Sequence, residues 1–188
     1  MRRTIVFIDA GFINKLSKSF GGGRYLKFDI LSFSRRLAKK QGLFCSDIYY
    51  YLAPPFSSSR SSDLEKLRRE RYDKFVKKMR ELGVNVCEGR CQRLKESGEF
   101  VYRQKGVDVL LAIDLVSLPL KFKVDEVILI ASDSDFVPAI RRLREFGVKT
   151  VLYAYYNRQR GGDFSWSNDL IKSVDRYAVL CREDFVDG

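Results

Sequence analysis

The chain has 188 residues, of which 45% are hydrophobic, and it contains no histidine. Its 35 lysines and arginines against 24 acidic residues give a formal net charge of +11, so a polyanion is the expected partner, with nucleic acid first and an anionic membrane surface second. The lack of histidine excludes Ser-His-Asp and Cys-His catalysis and histidine-based zinc hydrolysis.

Three further features restrict the class of protein. No stretch approaches the roughly 18 apolar residues of a membrane span, so none is expected. The amino terminus, MRRTIVFIDAGF, places Asp9 inside its apolar run and lacks a small-residue cleavage site, which favours a strand over a signal peptide. Cys87 and Cys91 have CxxxC spacing without a second ligand pair, so reduced cysteines of a cytoplasmic protein are favoured over a zinc site.

The sequence predicts strands that alternate with helices. In chain order, the predicted elements are a buried strand at 4–10, a glycine-rich loop around 21–23, a helix at 28–42, a strand at 46–54, a long helix within 57–83, a strand at 84–89, a hairpin at 90–104, a helix at 105–118 ended by Pro119, a strand at 125–132, a helix at 134–146, a strand at 149–155, a helix near 166–173 and a strand at 176–181. In the long helix, Leu64, Phe75 and Met79 belong to an apolar stripe at helical spacing. The alternation indicates one α/β domain, residues 1–188, with a mainly parallel sheet covered on both faces.

Acidic residues follow two of the buried strands and begin one helix. Asp9 ends the first strand, Asp133 and Asp135 follow the apolar run before them, and Asp108 lies near a helix start. Because ligands of parallel sheets bind at the carboxyl ends of the strands, we expect these acids to converge. Crowded carboxylates raise one another's pKa, and an all-oxygen set without histidine or thiolate selects Mg²⁺ or Mn²⁺.

Each acid also has a local structural explanation. Asp133 or Ser134 can cap the next helix, Asp9 can cap the turn after its strand, and Asp108 suits a first helical turn. Asp114 lies about 240° around the helix from Asp108, so it is expected to hold a neighbour in place instead of sharing the site. The joint placement at one edge of a sheet favours a metal site over these separate roles.

Basic and aromatic residues around the hairpin and after the fifth strand fit a surface that binds single-stranded RNA through phosphate contacts and stacking. The predicted RNA-binding residues are Arg90, Arg93, Arg103, Lys105, Tyr156, Arg158, Arg160 and Trp166. A solvated rim stays open as the alternative for the basic residues of the hairpin, and a core anchor stays open for Trp166.

Three segments together resemble the NYN domain of the LabA/DUF88 group, which is related to the PIN-domain ribonucleases. They are IVFIDAGFIN, KGVDVLLAIDLV and VILIASDSDFVPAIRRLREFGVKTVLYAY, and the resemblance spans roughly residues 4–185. It implies a three-layer α/β/α PIN-like fold and metal-dependent cleavage of RNA. The catalytic and metal-binding acids of the family fall on Asp9, Asp108, Asp133 and Asp135.

The resemblance also implies helpers around these acids. Asn14 is a polar neighbour, Asp114 is a helper, and Ser132 and Ser134 complete the set in the third segment. Family members often have glycine where Ser132 stands, so the loop around a metal is expected to differ here.

The first predicted function is a cytoplasmic ribonuclease that uses Mg²⁺ or Mn²⁺ and acts on single-stranded RNA; because small nucleases of this kind often pair, a homodimer is also considered. The second is a non-catalytic RNA-binding or regulatory module that retains the NYN fold. The third is a structural domain whose basic face binds an acidic protein.

Overall fold

The computed structural model of the chain describes residues 1–156, 164 and 167–186. Its strands are β1 (Arg2–Asp9), β2 (Leu43–Leu52), β3 (Asn85–Glu88), β4 (Arg90–Glu96), β5 (Glu99–Lys105), β6 (Glu126–Ile130), β7 (Lys149–Ala154) and β8 (Arg176–Val179). Its α-helices are α1 (Ala10–Phe20), α2 (Ile30–Lys40), α3 (Asp63–Glu81), α4 (Val107–Phe122), α5 (Val137–Glu145) and α6 (Asn168–Ser173).

Six strands form a central parallel sheet in the order β3-β2-β1-β6-β7-β8, and β4 and β5 form a separate antiparallel hairpin. Strands β1 and β6 lie at the centre, and all five residues of β6 are buried. Their near-continuous apolar runs suit strands that are covered on both faces. The predicted α/β class with a parallel central sheet flanked by helices is therefore confirmed, and it is consistent with a PIN-like fold.

Alternating side chains of each strand point to opposite faces, which gives the sheet two separate cores. Val6 and Ile8 pack with apolar residues of α1, α2 and α3, whereas Ile5 and Phe7 pack with those of α4, α5 and α6. Helices α1 to α3 therefore cover one face and α4 to α6 cover the other. This arrangement leaves the carboxyl ends of the central strands open between the two helical layers.

Helix α1 occupies residues between the first predicted strand and the glycine-rich loop, where the sequence analysis predicted no helix. The helix begins directly after β1, where the Asp9 side chain accepts a hydrogen bond from the Gly11 N–H at 2.8 Å. Phe12, Ile13 and Leu16 lie on its buried face. Asp9 is therefore both the last residue of β1 and the N-cap of α1, so no linker separates the strand from the helix.

Pro119 lies inside α4 and does not end it, which corrects a second prediction. The helix continues to Phe122, and the Pro119 carbonyl accepts a hydrogen bond from the Val124 N–H at 2.9 Å. A proline removes one backbone donor, and its ring is tolerated here in the last turn, where packing buries it. In the described part of the chain, no helix combines the length and apolar character needed to cross a membrane.

The hairpin and the segment after β6 match the predictions more closely. Ser97 and Gly98 both have positive φ, at 49° and 91°, as expected of a two-residue hairpin turn. The predicted helix at 134–146 is divided into a 3₁₀ turn, Ser134–Phe136, and α5. Pro138 lies in the first turn of α5, where its missing N–H costs no helical hydrogen bond.

Candidate active site

Two of the predicted acids follow adjacent central strands. Asp9 is the last residue of β1, and Asp133 lies three residues after Ile130, which ends β6. Ile8 and Ile130 are register partners in the parallel pairing of β1 with β6. The two aspartates therefore leave the sheet at the same edge, as predicted from the sequence.

A third acid reaches this edge from α4. Asp108 lies in the first turn of that helix, which begins after Gly106 at a positive φ of 80°. Such a conformation favours glycine, and it turns the chain sharply from β5 into α4. A Cβ added to Gly89 would come within 2.7 Å of both the Lys105 carbonyl oxygen and the Val107 side chain. Two glycines thus allow the base of the hairpin to pack closely against the start of α4.

Mutual electrostatic effects connect these acids. The pKa of Asp9 is raised to about 6, chiefly by burial; hydrogen bonds from the Gly11 and Phe12 backbones oppose this, and the charges of Asp108 and Asp133 add to it. The pKa of Asp108 is also raised, first by burial and then by the charges of Asp133 and Asp135. We call these four residues, Asp9, Asp108, Asp133 and Asp135, the acid cluster.

The chemistry of the acid cluster fits a hard divalent cation, although its side chains are not already gathered around one. All donors are carboxylate oxygens, which Mg²⁺ and Mn²⁺ prefer. Among the described residues, however, no group of three or more His, Cys, Asp or Glu side chains is placed to hold a metal ion. Asp9 and Asp133 instead accept backbone N–H groups two residues ahead, at 2.8 and 2.9 Å. A bound cation would therefore require these side chains to move.

The predicted helpers have different surroundings. The Tyr51 hydroxyl donates a hydrogen bond to Asp114 Oδ2 at 2.9 Å, so Asp114 joins α4 to β2, as expected of a residue that holds a neighbour. Asn14 is exposed on α1 and shares a hydrogen bond with the Tyr50 hydroxyl. Ser132 is half-buried, and Ser134 begins the 3₁₀ turn capped by Asp133.

The predicted RNA-binding residues do not form one uniform surface. Arg90 and Lys105 are exposed cross-strand partners at the base of the hairpin, directly before α4. Arg103 is exposed and pairs with Glu96 at 2.6 Å. Tyr156 is half-buried, whereas Arg158, Arg160 and Trp166 lie outside the described residues.

Arg93 makes contacts that join the hairpin to the rest of the protein. Its guanidinium lies 4.4 Å from the ring centroids of both Phe56 and Phe100, and it pairs with Glu65 at 3.5 Å. The Tyr102 hydroxyl donates to the same Glu65 oxygen at 2.7 Å. These contacts hold the hairpin against α3, so the guanidinium of Arg93 is engaged within the protein and is not expected to bind RNA directly.

The sequence prediction also missed a set of exposed aromatic residues in a groove that reaches Ala10 and Gly11, the residues after Asp9. Tyr25 is 65% exposed, and Phe75, which the periodicity of α3 placed in an apolar stripe, is 43% exposed. Both line surface grooves that also include Asn14. The only available signal was the tyrosine that follows three glycines in GGGRYL, and such a pattern is too common to indicate a site.

Comparison with known proteins places the chain in a family. A solved protein of unknown function from Vibrio parahaemolyticus has a similar fold, with a TM-score of 0.60 and 17% identity over 98% of this chain and 96% of that one. No curated protein matches the sequence. The NYN domain model matches residues 3–181. The chain therefore belongs to the NYN domain family, which is part of the PIN-like nuclease superfamily.

Proposed function

We propose that this protein is a metal-dependent ribonuclease whose site is the acid cluster. Membership of a nuclease family supports a nuclease function. The observation that carries the proposal is the placement of Asp9 and Asp133 after adjacent central strands at one edge of the sheet, where burial and then the charges of Asp108 and Asp133 raise the pKa of Asp9 to about 6. Perturbed carboxyl groups grouped in one place are typical of functional sites.

In this proposal, the acidic residues would bind the metal and the basic residues would bind the RNA. The acid cluster would hold Mg²⁺ or Mn²⁺, which when bound supplies phosphate charge neutralisation and a more acidic water. Asp9, with its pKa raised to about 6, is largely ionised at pH 7 and available as an oxygen ligand. Asp108 and Asp133 would provide further oxygens from α4 and the end of β6. Arg90 and Lys105 would bind RNA phosphates near the start of α4.

The direct test is cleavage of a labelled single-stranded RNA by the purified protein, with Mn²⁺, with Mg²⁺ and with a chelator. We expect products with either metal, none with the chelator, and recovery when metal is added back. Cleavage that is unaffected by the chelator would contradict metal dependence, and no cleavage with any divalent metal would contradict the nuclease.

A second candidate is a non-catalytic RNA-binding or regulatory module with the same fold. It is favoured by the local hydrogen bonds of Asp9 and Asp133, which give each acid a role as a helix cap. This candidate predicts RNA affinity in chelator without cleavage. The affinity should fall steeply as salt rises, because binding of phosphates by lysine and arginine releases counterions. An RNA affinity that is flat with salt would argue against a polyanion partner, and no RNA affinity at moderate salt would favour a domain whose basic face binds an acidic protein.

Several finer assignments belong to the same proposal. The three segments quoted above support membership of the LabA/DUF88 group, and the alternation of elements supports a single domain over residues 1–188. Single-stranded RNA as substrate, a cytoplasmic location and pairing as a homodimer are further parts of it. Size-exclusion chromatography with light scattering tests the homodimer directly.

A further inference from the structure

Two surface grooves meet on the side of the molecule formed by α1, α3 and the end of β2. Their volumes are about 590 and 500 Å³, and Asn14, Tyr25 and Phe75 line both of them. We call the combined channel the aromatic groove. One end reaches Lys27 and Lys78, and the other reaches Tyr102 of the hairpin.

One part of the aromatic groove lies next to Asp9 of the acid cluster. Ala10 and Gly11, which directly follow Asp9 in the chain, line it. The Gly11 N–H is also the group that donates to Asp9 Oδ1 at 2.8 Å. A strand lying in the groove would therefore pass next to Asp9, so the groove is positioned to hold nucleotides that flank the reacting phosphodiester.

The lining combines flat apolar surfaces with cations. Tyr25, Phe75 and Tyr102 are 65%, 43% and 44% exposed, although aromatic side chains are usually buried in a folded domain. Lys27 and Lys78 bring positive charge to one end. The lining carboxylate there, Asp29, accepts the Ser32 N–H at 2.7 Å as the cap of α2.

We propose that the aromatic groove binds unpaired nucleotides of the RNA strand, with bases stacked on Tyr25 and Phe75 and phosphates near Lys27 and Lys78. Nucleobases stack on aromatic side chains in a way that tolerates any sequence, and lysines attract the backbone. Paired bases have their faces covered by neighbours, so the groove selects single strands over duplexes. The inference rests on the proposed function for the identity of the strand, but binding can be measured without cleavage.

The first experiment measures the affinity of a fluorescently labelled single-stranded RNA by anisotropy, in chelator, for Tyr25→Ala and Phe75→Ala. Each variant should raise Kd about fivefold or more, since removal of one stacking platform has an effect of that order. Phe146→Ala is the matched control, because Phe146, directly after α5, is 51% exposed and lies outside the groove lining. Its Kd should change less than about twofold.

Phe75 also contacts Tyr50, with ring centroids 6.2 Å apart, so its replacement can affect folding. The exposed Tyr25 makes no ring contact with any residue that the structure describes, so its replacement is less disruptive. Melting temperatures are compared for all variants. The same RNA annealed to its complement supplies a second arm: the wild type should prefer the single strand, and the groove variants should lose that preference. Equal Kd values for the wild type and both groove variants would overturn the inference.

Photocrosslinking locates the RNA without reference to activity. RNA containing 5-iodouridine should crosslink to peptides that include Tyr25 or Phe75, and these crosslinks should disappear in the corresponding variants. Crosslinks confined to other faces would overturn the groove assignment. If the wild type binds through the groove but never cleaves RNA, the nuclease proposal fails and the groove stands. If it cleaves RNA while both variants keep full affinity, the groove fails and the nuclease stands.

Discussion

The two ends of β6 place acidic residues in opposite electrostatic environments. Glu126, the first residue of the strand, has a side chain only 1% exposed and is paired with two arginines. The Arg2 guanidinium lies 3.0 Å from Oε2, without the geometry of a hydrogen bond, and Arg176 donates to Oε1. At the other end lies the acid cluster, whose members form no ion pair with any residue that the structure describes.

The comparison distinguishes a buried carboxylate that is compatible with a stable fold from carboxylates whose ionisation lowers the stability of the fold. At the amino edge the chain supplies its own cations, so burial of Glu126 is compensated. At the carboxyl edge, burial and then the charges of neighbouring acids raise the pKa values of Asp9 and Asp108, which means that ionisation of these groups costs folding free energy. Such local conflicts are expected where a protein binds a ligand that supplies the missing charge.

The largest expected effect comes from removing one charge of the acid cluster. Asp133→Asn keeps an oxygen that can accept the Asp135 N–H, so the 3₁₀ turn should stay capped and stability should stay level or rise. If the cation needs this carboxylate, turnover of single-stranded RNA should fall about 100-fold or more. RNA affinity in chelator should persist, because it depends on basic and aromatic residues.

Asp125→Asn is the matched control, since Asp125 is exposed immediately before β6, at the opposite end of the same strand. It should leave turnover unchanged. Mn²⁺ should also raise the melting temperature of the wild type and of Asp125→Asn, and raise it less in Asp133→Asn. Full turnover in Asp133→Asn would contradict the mechanism, and a loss of about 1 kcal/mol in stability instead would indicate a helix cap.

Removing a cation at the amino edge should affect stability alone. Arg176→Met keeps most of the aliphatic side chain and leaves the buried Glu126 with Arg2 as its remaining partner. We expect the free energy of unfolding, measured by urea denaturation, to fall by about 2 kcal/mol, because a buried carboxylate then lacks part of its compensation. Turnover per folded molecule should not change. An unchanged free energy of unfolding would contradict the contrast between the two edges.

Asp9→Asn should produce a difference in stability that depends on pH. The folded protein holds the Asp9 proton more tightly than the unfolded chain, since the pKa rises from 3.8 to about 6. The wild type therefore loses stability as pH rises from about 4 to about 7, whereas asparagine does not ionise. In chelator, the two proteins should be similar near pH 4, and the variant should be more stable by about 3 kcal/mol at pH 8, since one pKa unit corresponds to about 1.4 kcal/mol. A stability difference between the two proteins that stays constant from pH 4 to pH 8 would contradict the raised pKa of Asp9.

Sequence alone was sufficient for the sheet and for the location of the acids. Strands covered on both faces need continuous apolar runs, and the runs before Asp9 and Asp133 are of this kind. The parallel arrangement then puts both acids at one edge. Helix α1 was missed because Asp9 ends the strand and caps the helix at once, without the polar linker that normally marks such a boundary.

The aromatic groove and the role of Arg93 depend on packing that no local pattern encodes. The apolar stripe of α3 predicts burial, yet Leu64 and Phe75 are 57% and 43% exposed, and the buried residues of the helix are Glu65, Val76 and Met79. The helix lies over the edge of the sheet near β3, where too little surface is available to cover the whole stripe. Arg93 is fixed by Glu65, which is remote in sequence, so its ion pair could not be predicted.

The smallest expected effect concerns Asp114, the acid that the structure separates from the acid cluster. The Tyr51 hydroxyl, which donates to Asp114 Oδ2 at 2.9 Å, is lost in Tyr51→Phe while the ring stays. The free energy of unfolding should fall by about 1 kcal/mol, the usual size for one hydrogen bond. Tyr49→Phe is the control, because Tyr49 lies two residues earlier on β2 and its hydroxyl makes no hydrogen bond to any described residue. Turnover should change less than about threefold in both variants, since α4 and Asp108 remain held by the core. A loss of turnover in Tyr51→Phe comparable to that in Asp133→Asn would mean that Asp114 belongs to the site after all.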